Sequence, residues 1–446
     1  MVGFILNLQT MLHLNKKLGV ATLLLFLCLG CKIKPNLSLY SDHPEILTDY
    51  YQVSSNGMQL PVFYGRPGGL ILGQIEDQNT EFIIDYQAEI HSFETIPEGS
   101  VSQIDIDGQQ ASFQVDRPVN FFIRINGNYV YPLMVSVSKP EKVQPTTNMI
   151  TFEAGIHDAG VITLKDNQTL FLKKGAYVNG TILVDGVENV KICGEGILTG
   201  KSYKEGSHPA GIFLNHCQNI EITGISIIDA PACAVVINSA EKVYLNNLKI
   251  LGNREQRMGD DAFNIFNAQH ITINNVMANT RNNSVALMNN SGQANEDITV
   301  KNATFWKGDY GNVIEIGYKA ENMFLKNCTF KHITIAHIDA GSIINITGKN
   351  NIIEDLSYVD FQTFDCRFML YNVKLDSLSK VKNVHFEQLN YSGLVPAYSD
   401  FIFGTAENAK AFWFNHLQYK GLKVKNMSDL NVKSTDYIPK INALLP

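Results

Sequence analysis

A short alternation of apolar and polar residues recurs along the chain beyond residue 147. It is found in Asn219-Ile-Glu-Ile-Thr-Gly-Ile-Ser-Ile-Ile228, His270-Ile-Thr-Ile-Asn-Asn-Val-Met277 and Asn322-Met-Phe-Leu-Lys-Asn-Cys-Thr-Phe330. Alternation with a period of two residues indicates a β-strand with one buried face. The segments recur roughly every 23 to 30 residues, a spacing typical of solenoids, whose stacked coils share a core that one coil could not bury alone. The pattern predicts an all-β parallel β-helix over residues 148–446.

Residues 36–147 have a different texture. Short alternating segments such as Glu81-Phe-Ile-Ile-Asp-Tyr86 and Asn120-Phe-Phe-Ile-Arg-Ile125 are separated by turn-rich pieces, and Asn126-Gly127 is a strong β-hairpin signal. Regular short strands of this kind predict a small β-sandwich. The polar stretch from Lys139 to Thr147 marks its predicted boundary with the β-helix.

Residues 1–31 read as an export signal. The apolar run from Leu18 to Gly30 follows Lys16 and Lys17 and ends at Cys31. Its length is typical of a signal-peptide core and is too short to span a bilayer comfortably. Leu27-Cys-Leu-Gly-Cys31 is similar to a bacterial lipobox, which predicts an exported cell-envelope lipoprotein, periplasmic or attached to the outer membrane, anchored by a lipid on Cys31. A plain secretory signal cut nearby is the alternative, and both predict export.

Charge and cysteine usage exclude several classes of partner. The formal net charge is −7 and no basic block is present, so a nucleic-acid partner is not expected. The cysteines beyond Cys31 have no paired CxxC spacing, and several lie in apolar strand patterns, which predicts buried free thiols. We expect no cofactor and no metal site, because no cluster of ligands has convincing spacing. These five cysteines are Cys193, Cys217, Cys233, Cys328 and Cys366.

Three successive predicted strands present one polar column. Their apolar residues share one phase, which places Asn264, Ala286 and Glu315 on the outward face with Asp260 and Asp261 at its edge. Coils stacked about 4.8 Å apart would align these residues as a shallow trough. Such a trough suits a long sugar chain, and no phosphate-cradling glycine motif is present. The three strands are Asp261–Asn267, Asn283–Met288 and Asn312–Gly317.

Further motifs mark the beginning of the predicted β-helix: Phe152-Glu-Ala-Gly-Ile-His157, Leu170-Phe-Leu-Lys-Lys-Gly-Ala-Tyr-Val-Asn-Gly180 and Gly194-Glu-Gly-Ile-Leu-Thr-Gly200. With the sandwich ahead of them, these motifs are similar to the start of the helix in family 49 glycoside hydrolases (dextranase and isopullulanase). The solenoid as a whole resembles the pectin-lyase-like superfamily, which also contains family 28 (polygalacturonases). The resemblance implies a right-handed coil, hydrolysis of O-glycosyl bonds and a polysaccharide substrate.

Members of those families resemble one another in holding three catalytic aspartates on two adjacent coils. Asp261 matches the first, but the following pair falls at Asn282 and Asn283. An amide cannot exchange the proton that general acid or base catalysis requires. Gly311-Asn312 takes the place of the polygalacturonase histidine motif, and no clear Arg-x-Lys motif is present to grip a uronate. This departure weighs against pectin as the substrate.

Other carboxylates could restore the chemistry. Asp261 and Glu315 lie two predicted coils apart, about 9.6 Å along the stack, close to the separation of about 6.5–9.5 Å that inverting hydrolysis requires. We therefore predict Asp261 and Glu315 as the catalytic pair, assisted by Asp260, with Asp309 in reserve. The alternative is that Asp260 and Asp261 cap a turn through backbone amides and that Glu315 lies on a solvated strand face.

Residues around this pair are candidates for sugar binding. Trp306 and Tyr318 could also stack on a pyranose ring, although aromatic residues in strand repeats are more often core, and the charged candidates could equally be ordinary surface residues. The candidate substrate-binding residues are Asn264, Asn282, Asn283, Asn312, Arg257, Asp309, Tyr310, Asp339 and Arg367.

Three functional hypotheses remain open. The first is a polysaccharide-cleaving, inverting glycoside hydrolase. The second is a catalytically inactive carbohydrate-binding β-helix, in which Asn282-Asn283 record a lost aspartate pair. A polysaccharide lyase is third, since it would need an anionic uronate, a Lys or Arg base and commonly calcium, which the acidic balance of the chain does not favour.

Overall fold

The computed structural model describes residues 47–65, 68–75, 79–140, 147–204, 206–252, 259–289, 293–318 and 320–442. The predictions for the export signal, for Cys31 and for Arg257 lie outside these ranges. Within them, no helix is long and apolar enough to cross a membrane.

Ten strands before residue 140 form two five-stranded sheets that share an apolar core. Phe82, Phe113, Phe121 and Val135 are buried between them, as the alternation of the sequence requires. The predicted β-sandwich is therefore confirmed. The first sheet has the order β2 (Met58–Leu60), β1 (Tyr51–Ser55), β5 (Thr80–Tyr86), β8 (Gln110–Val115) and β7 (Ser102–Asp107); the second has the order β3 (Phe63–Gly65), β4 (Gly68–Gln74), β10 (Leu133–Ser138), β9 (Val119–Ile125) and β6 (Phe93–Ile96).

The hairpin predicted at Asn126-Gly127 is only partly correct. Strands β9 and β10 pair antiparallel, with Leu133 opposite Ile123, so the connection runs from 126 to 132. Asn126 and Gly127 have φ values of 54° and 65°, as a tight turn requires. The Asn126 side chain accepts hydrogen bonds from the backbone of 91 and 92, which ties the turn to a neighbouring segment.

Beyond residue 148 the chain winds into parallel coils with three faces. In chain order the strands are β11 (Met149–Phe152), β12 (Gly155–Thr163), β13 (Thr169–Leu172), β14 (Ala176–Asp185), β15 (Glu188–Gly194), β16 (Ile197–Thr199), β17 (Ala210–Asn215), β18 (Gln218–Thr223), β19 (Ser226–Ile228), β20 (Cys233–Asn238), β21 (Glu241–Asn246), β22 (Lys249–Leu251), β23 (Phe263–Phe266), β24 (Gln269–Thr280), β25 (Val285–Met288), β26 (Ala294–Lys307), β27 (Ile314–Ile316), β28 (Phe324–Ile338), β29 (Ser342–Gly348), β30 (Ile352–Thr363), β31 (Met369–Leu375), β32 (Lys380–Tyr391), β33 (Tyr398–Ile402), β34 (Phe412–Asn415), β35 (Gln418–Tyr419), β36 (Leu422–Lys423), β37 (Val432–Thr435) and β38 (Lys440–Asn442).

Each coil contributes to all three faces. Strands β15, β18 and β21 stack on the first face, β16, β19 and β22 on the second, and β17, β20, β23, β25, β27, β29 and β31 on the third. The long strands β24, β26, β28 and β30 pass from the first face to the second and pair on both faces, with one register shift between β26 and β28 at Phe305/Trp306. The apolar phase points inward, and Phe263, Val285 and Ile314 are fully buried in one continuous core. The predicted parallel β-helix is confirmed.

Two corners of the coil are closed by residues in the left-handed backbone region. This conformation is costly for most side chains and is best tolerated by Asn, Asp and Gly, which explains why Asn recurs in the repeat. At the corner between the first and second faces the stacked residues are Asn247, Asn275, Asn302, His332, Asp360 and Gln388; at the start of the first face they are Asn189, Asn219, Lys242, His270, Asp297, Asn327, Asp355 and Asn383.

The second face packs against the sandwich. Leu70, Phe122 and Met134 from its second sheet lie against Leu251 and Trp306 of the coil. The Phe122 and Trp306 ring centroids are 5.2 Å apart. The outer surface of the second face is therefore covered by the sandwich.

Two short helical segments near the end of the coil were not anticipated from the strand pattern. A short helix, α1 (Ala406–Lys410), begins at Thr405, whose side chain accepts the backbone N–H of Asn408, and a 3-10 turn spans Met427–Leu430. The five cysteines of the β-helix are buried, as predicted.

Candidate active site

The outward residues of the third face form the predicted column. Asn264 aligns with Ala286, Ala286 with Glu315, and Glu315 with Asn345 of the next coil. The column is covered rather than open, since Glu315 is 1% exposed and Asn264 6%. The alternative that Glu315 lies on a solvated strand face is therefore wrong.

A second polar column lies three residues before the first on each coil, where the chain turns from the second face to the third. Each side chain accepts a hydrogen bond from the backbone N–H of the next coil. Asp261 Oδ1 accepts from Asn283 N at 2.7 Å, Asn283 Oδ1 from Asn312 N at 2.7 Å, and Asn312 Oδ1 from Ser342 N at 2.7 Å. We call Asp261, Asn283 and Asn312 the turn ladder.

The other oxygen of Asp261 faces the preceding coil. Asp261 Oδ2 accepts from Asn264 Nδ2 at 3.0 Å and lies 3.5 Å from Cys233 Sγ. Burial raises the pKa of Asp261 above its ordinary value, while the hydrogen bonds from Asn264 and the Asn283 backbone oppose the rise. Since Asp261 is only 5% exposed, these donors replace much of the water that an exposed carboxylate would have.

Asp260 lies beside Asp261 in a tighter environment. Its Oδ2 accepts from Arg281 N at 2.9 Å. A Cβ on Gly252 would lie 2.3 Å from the same oxygen, so Asp260 requires glycine at 252. Burial raises the pKa of Asp260 to about 7; the backbone hydrogen bond from Arg281 opposes the rise, and the Asp261 carboxylate adds to it.

Glu315 is held from two sides by amide groups. Asn345 Nδ2 donates to Glu315 Oε1 at 2.7 Å, and Asn312 Nδ2 donates to Oε2. Burial nevertheless raises the pKa of Glu315 to about 7, since it outweighs these two donors, and the charge of Asp261 acts in the same direction. Asp261 is thus close enough to both Asp260 and Glu315 to raise their pKa values through its charge.

The remaining predicted residues lie on the same corner but in different environments. Asp309 binds the Arg281 guanidinium through two contacts of 2.9 and 2.8 Å, and this contact lowers the pKa of Asp309. Tyr310 is 42% exposed beside it. Asn282 is half-buried, and its Oδ1 lies against Gly311.

Asp339 and Arg367 lie further along the corner. Asp339 Oδ1 is 2.9 Å from the fully buried His337 ring, and the Arg367 guanidinium lies 3.4 Å from the centre of the Tyr129 ring of the sandwich. Arg367 therefore contributes directly to the contact between coil and sandwich, whereas Asp339 pairs with His337, whose ring stacks on Tyr129. The expectation that Trp306 could stack on sugar is wrong, because Trp306 is buried against Phe122 and His337.

Four residues of this region were missed from the sequence. Asn345 continues the same alternation in Ser342–Gly348, so its phase could have identified it. Arg281 precedes Asn282 directly, but its pairing with Asp309 depends on turn geometry. Cys233 was correctly predicted as buried, without its contact to Asp261. Lys307 is fully buried, and burial lowers its pKa to about 7.

The cluster is suited to proton transfer. Burial raises the pKa values of two carboxyl groups, Asp260 and Glu315, to about 7, and Asp261 lies between hydrogen-bond donors. Among the residues that the structure describes, no group of three or more His, Cys, Asp or Glu side chains could hold a metal ion.

Comparisons with known proteins agree with the fold. Dextranase of Arthrobacter globiformis is 22% identical over 67% of this chain and 48% of its own length. A probable polygalacturonase of Arabidopsis thaliana is 24% identical over 34% of each protein. Among solved structures, Dex49A from Penicillium minioluteum matches with a TM-score of 0.52 at 12% identity, covering 86% of this chain and 90% of that one.

These curated relatives are matched over half of their length or less, so they do not define an activity for this chain. The structural match at 12% identity shows the shared right-handed β-helix. The model of glycosyl hydrolases family 28 matches residues 132–388, more than half of the chain. This match includes the third-face columns and the turn ladder, and it confirms the resemblance found in the sequence. The chain belongs to glycosyl hydrolases family 28.

Proposed function

We propose that the protein is a glycoside hydrolase that cuts a polysaccharide bound along the third face. Asp261 and Glu315 share the acid and base roles, and Asp260 assists them. The observation that carries the proposal is the cluster of these three carboxyls on the outward side of a family 28 coil, two of them with pKa values raised to about 7.

The hydrogen bonds support a division of roles. Glu315 retains its proton up to about neutral pH, as a general acid must. Both oxygens of Asp261 face donors that stabilise its anion, which suits a general base. The two residues belong to coils separated by one intervening coil, a spacing that supports single-displacement inversion with a water molecule between them.

A second candidate is carbohydrate binding without hydrolysis. Its support is that Asn283 and Asn312 make the same backbone contact as Asp261, so this contact does not require a carboxylate. Asp261 and Glu315 are also 5% and 1% exposed. Hydrolysis therefore requires the column to open far enough for sugar and water to reach both groups.

Reducing-sugar release decides between the candidates. The substrate panel contains neutral and acidic polysaccharides. It includes dextran and polygalacturonate because a dextranase and a probable polygalacturonase are among the similar proteins. We expect release by the wild type and at least about 100-fold slower release by Asp261→Asn and Glu315→Gln. Asp355→Asn is the matched control, since Asp355 lies on the first face and its Oδ1 accepts from Asn383.

The products then test the mechanism. Inversion predicts that the first-formed reducing end has the anomeric configuration opposite to that of the cleaved bond, which NMR of early products reports. Unsaturated products would instead identify a lyase. Binding of one polysaccharide with no release from any would support the second candidate and refute the first.

Export belongs to the same proposal and rests on the sequence of residues 1–31. A lipid on Cys31 would hold the protein to the cell envelope and place it where extracellular glycans arrive. Fractionation of cells producing the wild type and Cys31→Ala tests this: the wild type should be in the membrane fraction and the variant should not. Equal recovery of both in the soluble fraction would refute the anchor.

A further inference from the structure

The turn ladder connects two of the proposed catalytic carboxyls. Asp261 accepts from the backbone of Asn283, the Asn283 side chain accepts from the backbone of Asn312, and the Asn312 side chain donates to Glu315. Asn283 is thus a link in a continuous hydrogen-bonded path between Asp261 and Glu315.

The orientation of the Asn312 amide follows from its partners. Ser342 N at 2.7 Å can only donate, so the atom that it contacts must be the carbonyl oxygen of Asn312. Ser342 Oγ also lies 2.8 Å from this oxygen. The Asn312 nitrogen is therefore directed to Glu315 Oε2.

Asn345 reaches the other oxygen of Glu315. Its Nδ2 lies 2.7 Å from Glu315 Oε1, and its Oδ1 accepts from Asn372 Nδ2 at 2.5 Å. Each oxygen of Glu315 thus has one amide donor, and each of these donors is fixed by a further hydrogen bond. A carboxylate at either position could accept the bonds that fix it but could not donate to Glu315.

We propose that Asn312 and Asn345 are positioning residues that fix the orientation of the Glu315 carboxyl, and that Asn283 supports Asn312 from the preceding coil. The catalytic consequence rests on the proposed function, whereas the positioning itself does not. The Asn312 amide accepts from a backbone N–H with its oxygen and donates to the Glu315 carboxyl with its nitrogen, which an ionised aspartate at this position could not do.

The test replaces one atom of this arrangement. Asn312→Asp keeps an oxygen for Ser342 but exchanges the donor at Glu315 for a second carboxylate oxygen. A like charge next to a carboxyl raises its pKa. We expect the titration midpoint of Glu315 to rise by about one pH unit or more. The readout is the carboxyl ¹³C shift in protein labelled with ¹³C-glutamate, with the signal assigned by its loss in Glu315→Gln.

Two further variants keep the test decisive. Asn345→Ala removes the other donor and should raise the midpoint in the same direction, even if Asn312→Asp fails to fold. Asn350→Asp is the control, since Asn350 bonds to Asn322 on an exposed part of the coil, and it should leave the Glu315 midpoint unchanged. An unchanged midpoint in folded Asn312→Asp or Asn345→Ala would overturn the inference.

The titration needs no substrate, so the two proposals fail separately. If the midpoint moves but no polysaccharide is cleaved, the positioning role stands and the hydrolase proposal fails. If polysaccharide is cleaved, the alkaline limb of the kcat profile should move to higher pH in Asn312→Asp, because the acid keeps its proton longer. Cleavage with a moved midpoint but an unmoved alkaline limb would refute Glu315 as the acid and leave the positioning role intact.

Discussion

Asp260 carries a buried carboxyl whose charge opposes folding. It is 6% exposed, and only its Oδ2 has a described hydrogen bond, from Arg281 N. Replacing Asp260 with Asn keeps the shape of the side chain and an oxygen for that bond, but it removes the charge. We expect Asp260→Asn to be more stable than the wild type at alkaline pH and less active in any hydrolysis that uses Asp260.

The magnitude follows from the pKa of Asp260, which burial raises from an ordinary value of 3.8 to about 7. At pH 8 the carboxyl is ionised in the folded and the unfolded chain, so this difference destabilises the wild type by at most about 4 kcal/mol, at about 1.4 kcal/mol per pH unit. The loss of stability accumulates as the pH rises from about 4 to about 7. Below about pH 4 the protonated acid and the amide are nearly equivalent.

Urea denaturation of both proteins at pH 4 and pH 8 measures this difference. Asp309→Asn is the control with the opposite sign, because the hydrogen bond from Arg281 lowers the pKa of Asp309. The stability that ionised Asp309 contributes is present above its ordinary pKa of 3.8 and is lost as the pH falls through its lower pKa in the folded protein. Asp309→Asn should therefore be less stable than the wild type at pH 8. If Asp260→Asn is no more stable than the wild type at pH 8, the reasoning fails.

Three other substitutions test separate contacts by urea denaturation. Gly311→Ala would place a Cβ 2.2 Å from Asn282 Oδ1. Its loss of folding free energy should exceed that of Gly421→Ala by roughly 1–3 kcal/mol, because Gly421 has a similar positive φ but open space around it. Equal losses in the two variants would contradict the clash. Lys307→Met should be most stabilised relative to the wild type near pH 6, where the buried Lys307 must carry a proton. This gain in stability should shrink as the pH rises from 7 to 10.5. A gain that does not change with pH would contradict the pKa lowered to about 7. Tyr129→Ala should lose about 1–3 kcal/mol, because the ring stacks on His337 and under Arg367; an unchanged urea midpoint would refute this.

The fold was predictable because an alternation of apolar and polar residues that recurs roughly every 23 to 30 residues indicates the stacked strands of a solenoid. Phe263, Val285 and Ile314 occupy the inward phase in sequence and in structure. The alignment of Asn264, Ala286 and Glu315 followed from the same phase. Strand register decides which residues lie side by side on adjacent coils, and the sequence predicts the register when one face of each strand must be buried.

Burial on the outward side was not predictable in the same way. Glu315 has the outward phase yet is 1% exposed, because outward residues of adjacent coils cover one another with amide groups. Trp306 also has the outward phase, and the sandwich that covers it is distant in sequence. The pairing of Arg281 with Asp309 joins two turns whose conformations no periodicity describes. Local patterns therefore defined the columns, while contacts between turns defined their chemistry.

The corners of the coil differ in how much change they tolerate. Between the first and second faces, a single left-handed residue such as Asn275 or Asn302 joins strands that continue their pairing, so an added residue there would shift the register of everything that follows. Between the second and third faces, the strands are joined by the longer connections 308–313, 364–368 and 392–397, and register shifts beside two of them are accommodated within the sheet. New recognition properties could therefore be introduced by exchanging the connection 392–397 as a cassette, while 308–313, which carries Asn312, and the other corners stay constant.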